Sequence, residues 1–247
     1  MTHSAPELSA QARAPRRIGR FSGSLREIVY GGNDGIVTTF AVVAGFAGAA
    51  FEQEGAAIAG VVVLLFGLAN LLADATAMGL GAFLSSRSAR EVYRSERAKI
   101  IVAIQAAPEA ERAIAAQVLE GKGMPPEDAQ AVAERFGRRP ELLADFLAQQ
   151  ELGLADPADA SPARDGMATF GSFMVFGAIP LAPYFVAPPS TQLFQASVLL
   201  TGLALALLGV LRWAVTREGL WRSVIETVAV GGVCATVAYA VGLMFRL

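Results

Sequence analysis

Two apolar stretches of membrane length lie within residues 27–84, and each carries an aspartate among small and polar residues. The first reads Glu27-Ile-Val-Tyr-Gly-Gly-Asn-Asp34-Gly-Ile-Val-Thr-Thr-Phe-Ala-Val-Val-Ala-Gly45. In the second, Asn70, Asp74 and Met78 stand at i, i+4 and i+8. That spacing puts an amide, a carboxylate and a thioether on one helical face. A charge at bilayer depth costs roughly 2.5–3.5 kcal/mol on insertion scales, so an acid kept there marks a functional site. A cation path through Asp34, Asn70, Asp74 and Met78 is the expectation.

A hydrophobic content of 54% suits either a large soluble domain or a membrane protein, and the distribution of charge decides between them. Uncharged runs cover 35–51, 55–73, 166–211 and 227–245. A bilayer core needs roughly 20 apolar residues per helix, and Pro180, Pro183, Pro188 and Pro189 divide the longest run. The chain therefore reads as an all-α integral membrane protein. Five spans are expected, near 30–50, 56–84, 167–186, 191–213 and 224–245, with a helical cytosolic insert between the second and third. The segments are a tail over 1–26, two spans within 27–84, the insert over 85–165 and three spans within 166–247. Basic residues collect on one side: Arg13, Arg16, Arg17, Arg20 and Arg26, then Arg87, Arg90, Arg94, Arg97, Lys99 and Arg164, then Arg212, Arg217 and Arg222. The opposite side has Glu52, Glu54 and, at the end, Arg246. By the positive-inside rule the tail and residues 85–165 are cytosolic. The small residues at 47–50 do not make a signal-peptide cleavage region, because Glu27 and Asp34 interrupt the stretch before them.

One cysteine, Cys234, permits no intramolecular disulfide, and the sole histidine, His3, lies in the tail. A zinc hydrolase or a histidine-based redox centre is excluded within this chain, no resident cofactor is expected, and the protein is not read as an enzyme. The net charge of -2 says little about partners, because it sums over several compartments; no nucleic-acid partner is expected. Within the insert the second span runs on as helix to Ala106. Pro108, Pro125 and Glu141 open further helices that stop at Gly121–Gly123, Gly137 and Gly153. Ile114, Val118, Val132, Phe136, Leu143 and Phe146 form the expected apolar side. Glutamates recur there, and a solvated helix face or a first-turn acid explains any single one.

The residues in and around these spans resemble the vacuolar iron transporter family. Ile28–Gly45 looks like its first span and Leu68–Ser86 its second. Glu151-Leu-Gly-Leu154 and Gly177-Ala-Ile-Pro-Leu-Ala-Pro-Tyr184 are similar to the end of its cytosolic domain and its third span. The resemblance runs over most of residues 25–246. It implies a five-span homodimer in the lipid bilayer that moves ferrous iron, manganese or both out of the cytosol in exchange for protons. In a prokaryote that bilayer is the cell membrane. The resemblance makes Asp34 and Met78 metal ligands in the membrane, with Asn70 where some members have glutamate. Glu91, Glu96, Glu109, Glu111 and Glu151 become metal ligands in the cytosolic domain. Two departures stand out: Lys99-Ile-Ile-Val-Ala-Ile104 is poor in acids, and Ala148-Gln-Gln150 replaces a methionine and a further acid. Both weaken the cytosolic trap.

Carboxylate, amide and thioether together suit a divalent transition ion better than calcium or magnesium, which take all-oxygen sites. Blander explanations compete with each residue. Asn33-Asp34-Gly35 also fits a helix cap, Asp74 a bond to a neighbouring helix, Met78 packing filler and Glu226 a pair with Arg222. Gly45, Gly48, Gly67, Gly79 and Gly81 are read as sites of close helix contact. The alternative function is a membrane-anchored metal sensor or scaffold without ion flux.

Overall fold

Proline and glycine punctuate long apolar and amphipathic runs in this chain, and the result is helix throughout. The computed structural model describes residues 18–49, 56–156, 161–186, 192–216 and 219–244, and every regular element among them is an α-helix. In order these are α1 (Ile18–Gly48), α2 (Ala56–Ala106), α3 (Pro108–Gly121), α4 (Pro126–Gly137), α5 (Pro140–Gln150), α6 (Pro162–Gly177), α7 (Ala182–Val186), α8 (Gln192–Thr216) and α9 (Leu220–Met244). His3 and the basic residues Arg13, Arg16 and Arg17 lie outside the described residues. So do the Glu52–Glu54 loop, Pro188, Pro189, Arg217 and Arg246.

Among the described residues three helices, α2, α8 and α9, are long and apolar enough to cross a membrane. With 31 residues α1 has the length, but Asn33 and Asp34 interrupt its apolar run. The expected third span is not one helix: α6 has 16 residues and stops at Gly177. Tight bonds such as Ile179 N to Phe176 O and Leu181 N to Ala178 O carry the chain round to α7. Pro180 and Pro183 cause this break, because neither can donate a backbone bond. Pro180 is fully buried, and the Ser197 hydroxyl donates to its carbonyl at 2.7 Å. Irregular backbone is tolerated at membrane depth only when buried and satisfied in this way.

The chain separates into two compact units, residues 84–162 and the remainder. In the larger unit α1 packs on both α8 and α9, which also pack on each other. Glycines set the closest approaches. A Cβ at Gly48 would lie 2.4 Å from the Tyr239 carbonyl oxygen, and one at Gly242 would lie 2.2 Å from that of Gly45. Gly79 and Gly67 are pressed against Phe170 and Leu181, as expected of contact glycines, whereas Gly45 itself has ordinary clearance. Gly81 faces open space. Outward positions remain apolar, with Leu203 66% and Val233 64% exposed. Such faces suit lipid, which exerts no hydrophobic penalty on them.

In the smaller unit, α3, α4 and α5 pack pairwise. Each opens on proline with acids in its first turn: Glu109 and Glu111, Glu127 and Asp128, and Glu141. These favour the positive end of the helix dipole. Gly123 (φ 92°) and Gly153 (φ 66°) take left-handed conformations just past α3 and α5, which only glycine adopts without strain. The core differs from the expected one. Its fully buried members include Ile104, Ala115, Ala129, Leu143, Ala144 and Leu147, with Ile114, Val132, Phe136 and Phe146 only packed around them. Alanine faces let these short helices approach closely, so the larger side chains are displaced to the flanks; Val118 stays outside the buried set.

Candidate functional site

Asp34 comes from α1, Asn70, Asp74 and Met78 come from α2, and α6 holds both helices. A Cβ at Gly35 would lie 2.5 Å from the Phe173 carbonyl oxygen, and one at Gly31 would lie 2.8 Å from that of Thr169. Gly177 closes the joint, between the Gly35 carbonyl and the Leu71 side chain. With no side chains at these points, the α1 and α2 backbones are registered against the same stretch of α6.

Asp34 follows Asn33 and precedes Gly35 in this joint. It is half-buried, and its carboxyl lies within electrostatic reach of Asp74 on α2. Asp74 is also half-buried and accepts a 2.7 Å hydrogen bond from Asn70 Nδ2, one turn earlier. The expected α2 stripe thus exists as a bonded amide–carboxylate pair, and α1 brings a second carboxylate toward it. Met78, a further turn along, is half-buried against the apolar cluster of Leu71, Ala75 and Phe173. Asn70 also borders a cleft of about 660 Å³ between α1, α2 and α9, otherwise lined by residues such as Ala41, Gly45, Ala69 and Ala73. The capping role considered for Asp34 is not the one adopted, since α1 runs unbroken from Ile18 to Gly48.

Glu27 is a residue the sequence reading passed over. It sits seven positions before Asp34, on the same helical side, and its Oε2 is buried with no hydrogen-bond partner among the described residues. A buried carboxylate oxygen left open is costly unless a cation or proton visits it. An acid at i−7 from the first aspartate was the available signal.

In the smaller unit the five expected glutamates divide. Glu91 pairs with Arg87 at 2.8 Å, Glu96 with Lys99 at 2.7 Å, and Glu109 with Arg112. Each pair is local to one helix, three or four residues apart, as solvated helix faces commonly are. Glu111 and Glu151 do come within electrostatic reach across α3 and the end of α5. Burial, and then the Glu151 charge, push the Glu111 carboxyl above its usual range. Among the described residues no group of three or more histidine, cysteine, aspartate or glutamate side chains is gathered. Asp145, which the sequence did not single out, accepts from Arg97 and from the Tyr93 hydroxyl at 3.1 Å. The Arg97 bond holds its carboxyl below the usual range, against the opposing effect of burial.

Two carboxylates, an amide and a nearby thioether can offer a divalent ion a partial, exchangeable ligand set. Incomplete coordination suits an ion that must leave again. The sequence model of the VIT family matches residues 25–243 of this chain. The chain is 30% identical over 215 residues to vacuolar iron transporter 1 of Arabidopsis thaliana, covering 87% of this chain and 83% of that protein. It is 29% identical to the Tulipa gesneriana protein of the same name, covering 87% and 85%. With a vacuolar iron transporter of Toxoplasma gondii it shares 28% identity over 235 residues, or 92% of this chain and 76% of that one.

Proposed function

The chain belongs to the VIT family, and from that premise we propose that it carries ferrous iron, manganese or both across a membrane, out of the cytosol and in exchange for protons. The observation that carries this reading is the approach of Asp34 to Asp74, with Asn70 bonded to the latter, on two neighbouring helices. Two carboxylates within electrostatic reach of each other repel, and either one divalent cation or protons relieve that repulsion. Metal and proton therefore compete for one site, which is the physical basis of antiport. Asn70 aims Asp74, and Met78 supplies a soft ligand that favours a transition ion over magnesium or calcium. Glu27 is an additional acid on the α1 side of the path.

The accompanying topology has five crossings, counting α1 and the broken α6–α7 segment beside α2, α8 and α9. It places the basic residues and the insert in the cytosol. Small residues along the 660 Å³ cleft suit close apposition of a second copy, making a homodimer with Asn70 near its seam. In the insert, Glu111 and Glu151 are the pair to which a cytosolic ion binds.

Purified protein in liposomes tests the reading. Ferrous ion or manganese should quench an enclosed metal-sensitive dye while a second dye reports a counter-moving pH change. Asp74→Asn and Asp34→Asn should abolish both signals, and Met78→Ala should reduce the metal signal. Full flux in both aspartate variants would overturn the site, and metal entry without a pH change would overturn the antiport.

A further inference from the structure

Most helical threonines of this chain follow one habit: Thr38, Thr76, Thr169, Thr216, Thr227 and Thr236 each donate to the carbonyl four residues back, at 2.7–3.0 Å. That bond is the local default for a hydroxyl on a helix. Thr39 on α1 and Thr201 on α8 do not form it. Thr39 is fully buried and Thr201 is 5% exposed, and neither hydroxyl has a hydrogen-bond partner among the described residues. A buried hydroxyl left without a partner costs free energy, and more so at bilayer depth, where no solvent can substitute. Two such hydroxyls call for a ligand.

Packing brings them to one level. Along the α1–α8 contact Gly32 meets Leu208, Ile36 clusters with Ala204 and Leu205, and the Phe40 ring stacks on Phe194 at 6.3 Å. Numbers rise on α1 as they fall on α8, so the two helices run antiparallel. Thr39 lies three residues beyond Ile36, and Thr201 four before Leu205, so each continues the face that its helix turns to the other. We propose that one water molecule is bound between Thr39 and Thr201, a site that does not rest on the transport reading. Water donates and accepts at once, so it satisfies both hydroxyls, and a buried water makes roughly two to four such bonds. The neighbours Ile36, Ala204 and Leu205 offer no countercharge to an ion. In this apolar contact, a water held from both sides adds the directional bond that keeps α1, the helix of Asp34, in register with α8.

Valine in place of threonine removes the hydroxyl and keeps the branched shape, so thermal unfolding of the full-length protein in detergent reads the site by sign. With water bridging the helices, Thr39→Val and Thr201→Val each leave a polar group short of one bond and should lower the melting temperature by about 2–4 °C. The double variant removes both hydroxyls and the water with them, and should fall by less than the two shifts added together. With no ligand bound, each valine instead relieves an unsatisfied buried hydroxyl. An unchanged or raised melting temperature in either single variant would therefore overturn the proposal, and so would strictly additive shifts. A direct bond between the hydroxyls would give the same coupling, so a crystal structure of the native protein, at a resolution that places waters, decides between them. A water within hydrogen-bond distance of both Oγ1 atoms supports the site, and clear density with none between them overturns it. That measurement stands even where a valine variant fails to fold.

Discussion

Replacing Gly35 by alanine tests whether the α1–α6 joint positions the membrane carboxylates. The new Cβ would start 2.5 Å from the Phe173 carbonyl oxygen and 3.0 Å from its Cα, both backbone atoms that cannot rotate away. Ordinary contact begins near 3.4 Å, so the helices must separate by about 0.9 Å. Overpacking of this kind costs about 1–3 kcal/mol. The same displacement shifts Asp34 relative to α6, because Asp34 adjoins the substituted residue. Gly81→Ala is the control: its Cβ meets nothing within 4 Å, and alanine is the better helix former by about 1 kcal/mol. Thermal unfolding in detergent and metal flux in liposomes should both fall for Gly35→Ala, and neither should fall for Gly81→Ala. Full flux and unchanged stability in Gly35→Ala would refute the reasoning. Loss of flux in Gly81→Ala would show that helix contact is not what the glycines supply.

Ser197→Ala leaves the buried Pro180 carbonyl without its 2.7 Å donor and should cost about 1–3 kcal/mol in unfolding measurements. The Asp145 carboxyl titrates below its unfolded value of 3.8, so its stabilisation is present above that pH and is lost as pH falls through the lowered folded value. Hydrogen exchange over residues 84–162 should show the acid-sensitive component in the native chain and not in Asp145→Asn. Its size should be below about 1 kcal/mol, because the pair is partly exposed. Glu111 has the opposite sign: its folded value lies above 4.5, so its contribution is greatest in acid and is lost as pH rises through the raised value. Glu111→Gln should flatten that slope in a melting series, and manganese should stabilise the native protein but not this variant. Equal stabilisation of both by manganese would remove Glu111 as a ligand.

The helix boundaries of the insert were legible because Pro108, Pro125, Gly123 and Gly153 act through their own backbone chemistry. Its core was not. Which residues meet depends on how closely helices approach, and Ala115, Ala129 and Ala144 allow an approach that bulk alone does not announce. At the site, the Asn70–Asp74 bond follows directly from i, i+4 spacing, whereas the nearness of Asp34 requires α6 as an intermediary. The local pairs of Glu91, Glu96 and Glu109 were legible, since each has an arginine or lysine three or four residues away. The meeting of Glu111 with Glu151 depends on the tertiary fold. The prolines announced a break beyond residue 186, but the chain already breaks at 178–181, where the Pro180 carbonyl depends on Ser197, which lies 17 residues further on.

That dependence bears on how the protein is made. When residues 162–186 leave the ribosome, the acceptor at Pro180 has no donor until α8 has also been synthesised, and hydrocarbon offers no water as a substitute. The two segments should therefore pass from the translocon into lipid together as a helical hairpin, and in a nascent chain stalled before Gln192 residues 162–186 should still crosslink to the translocon rather than to lipid.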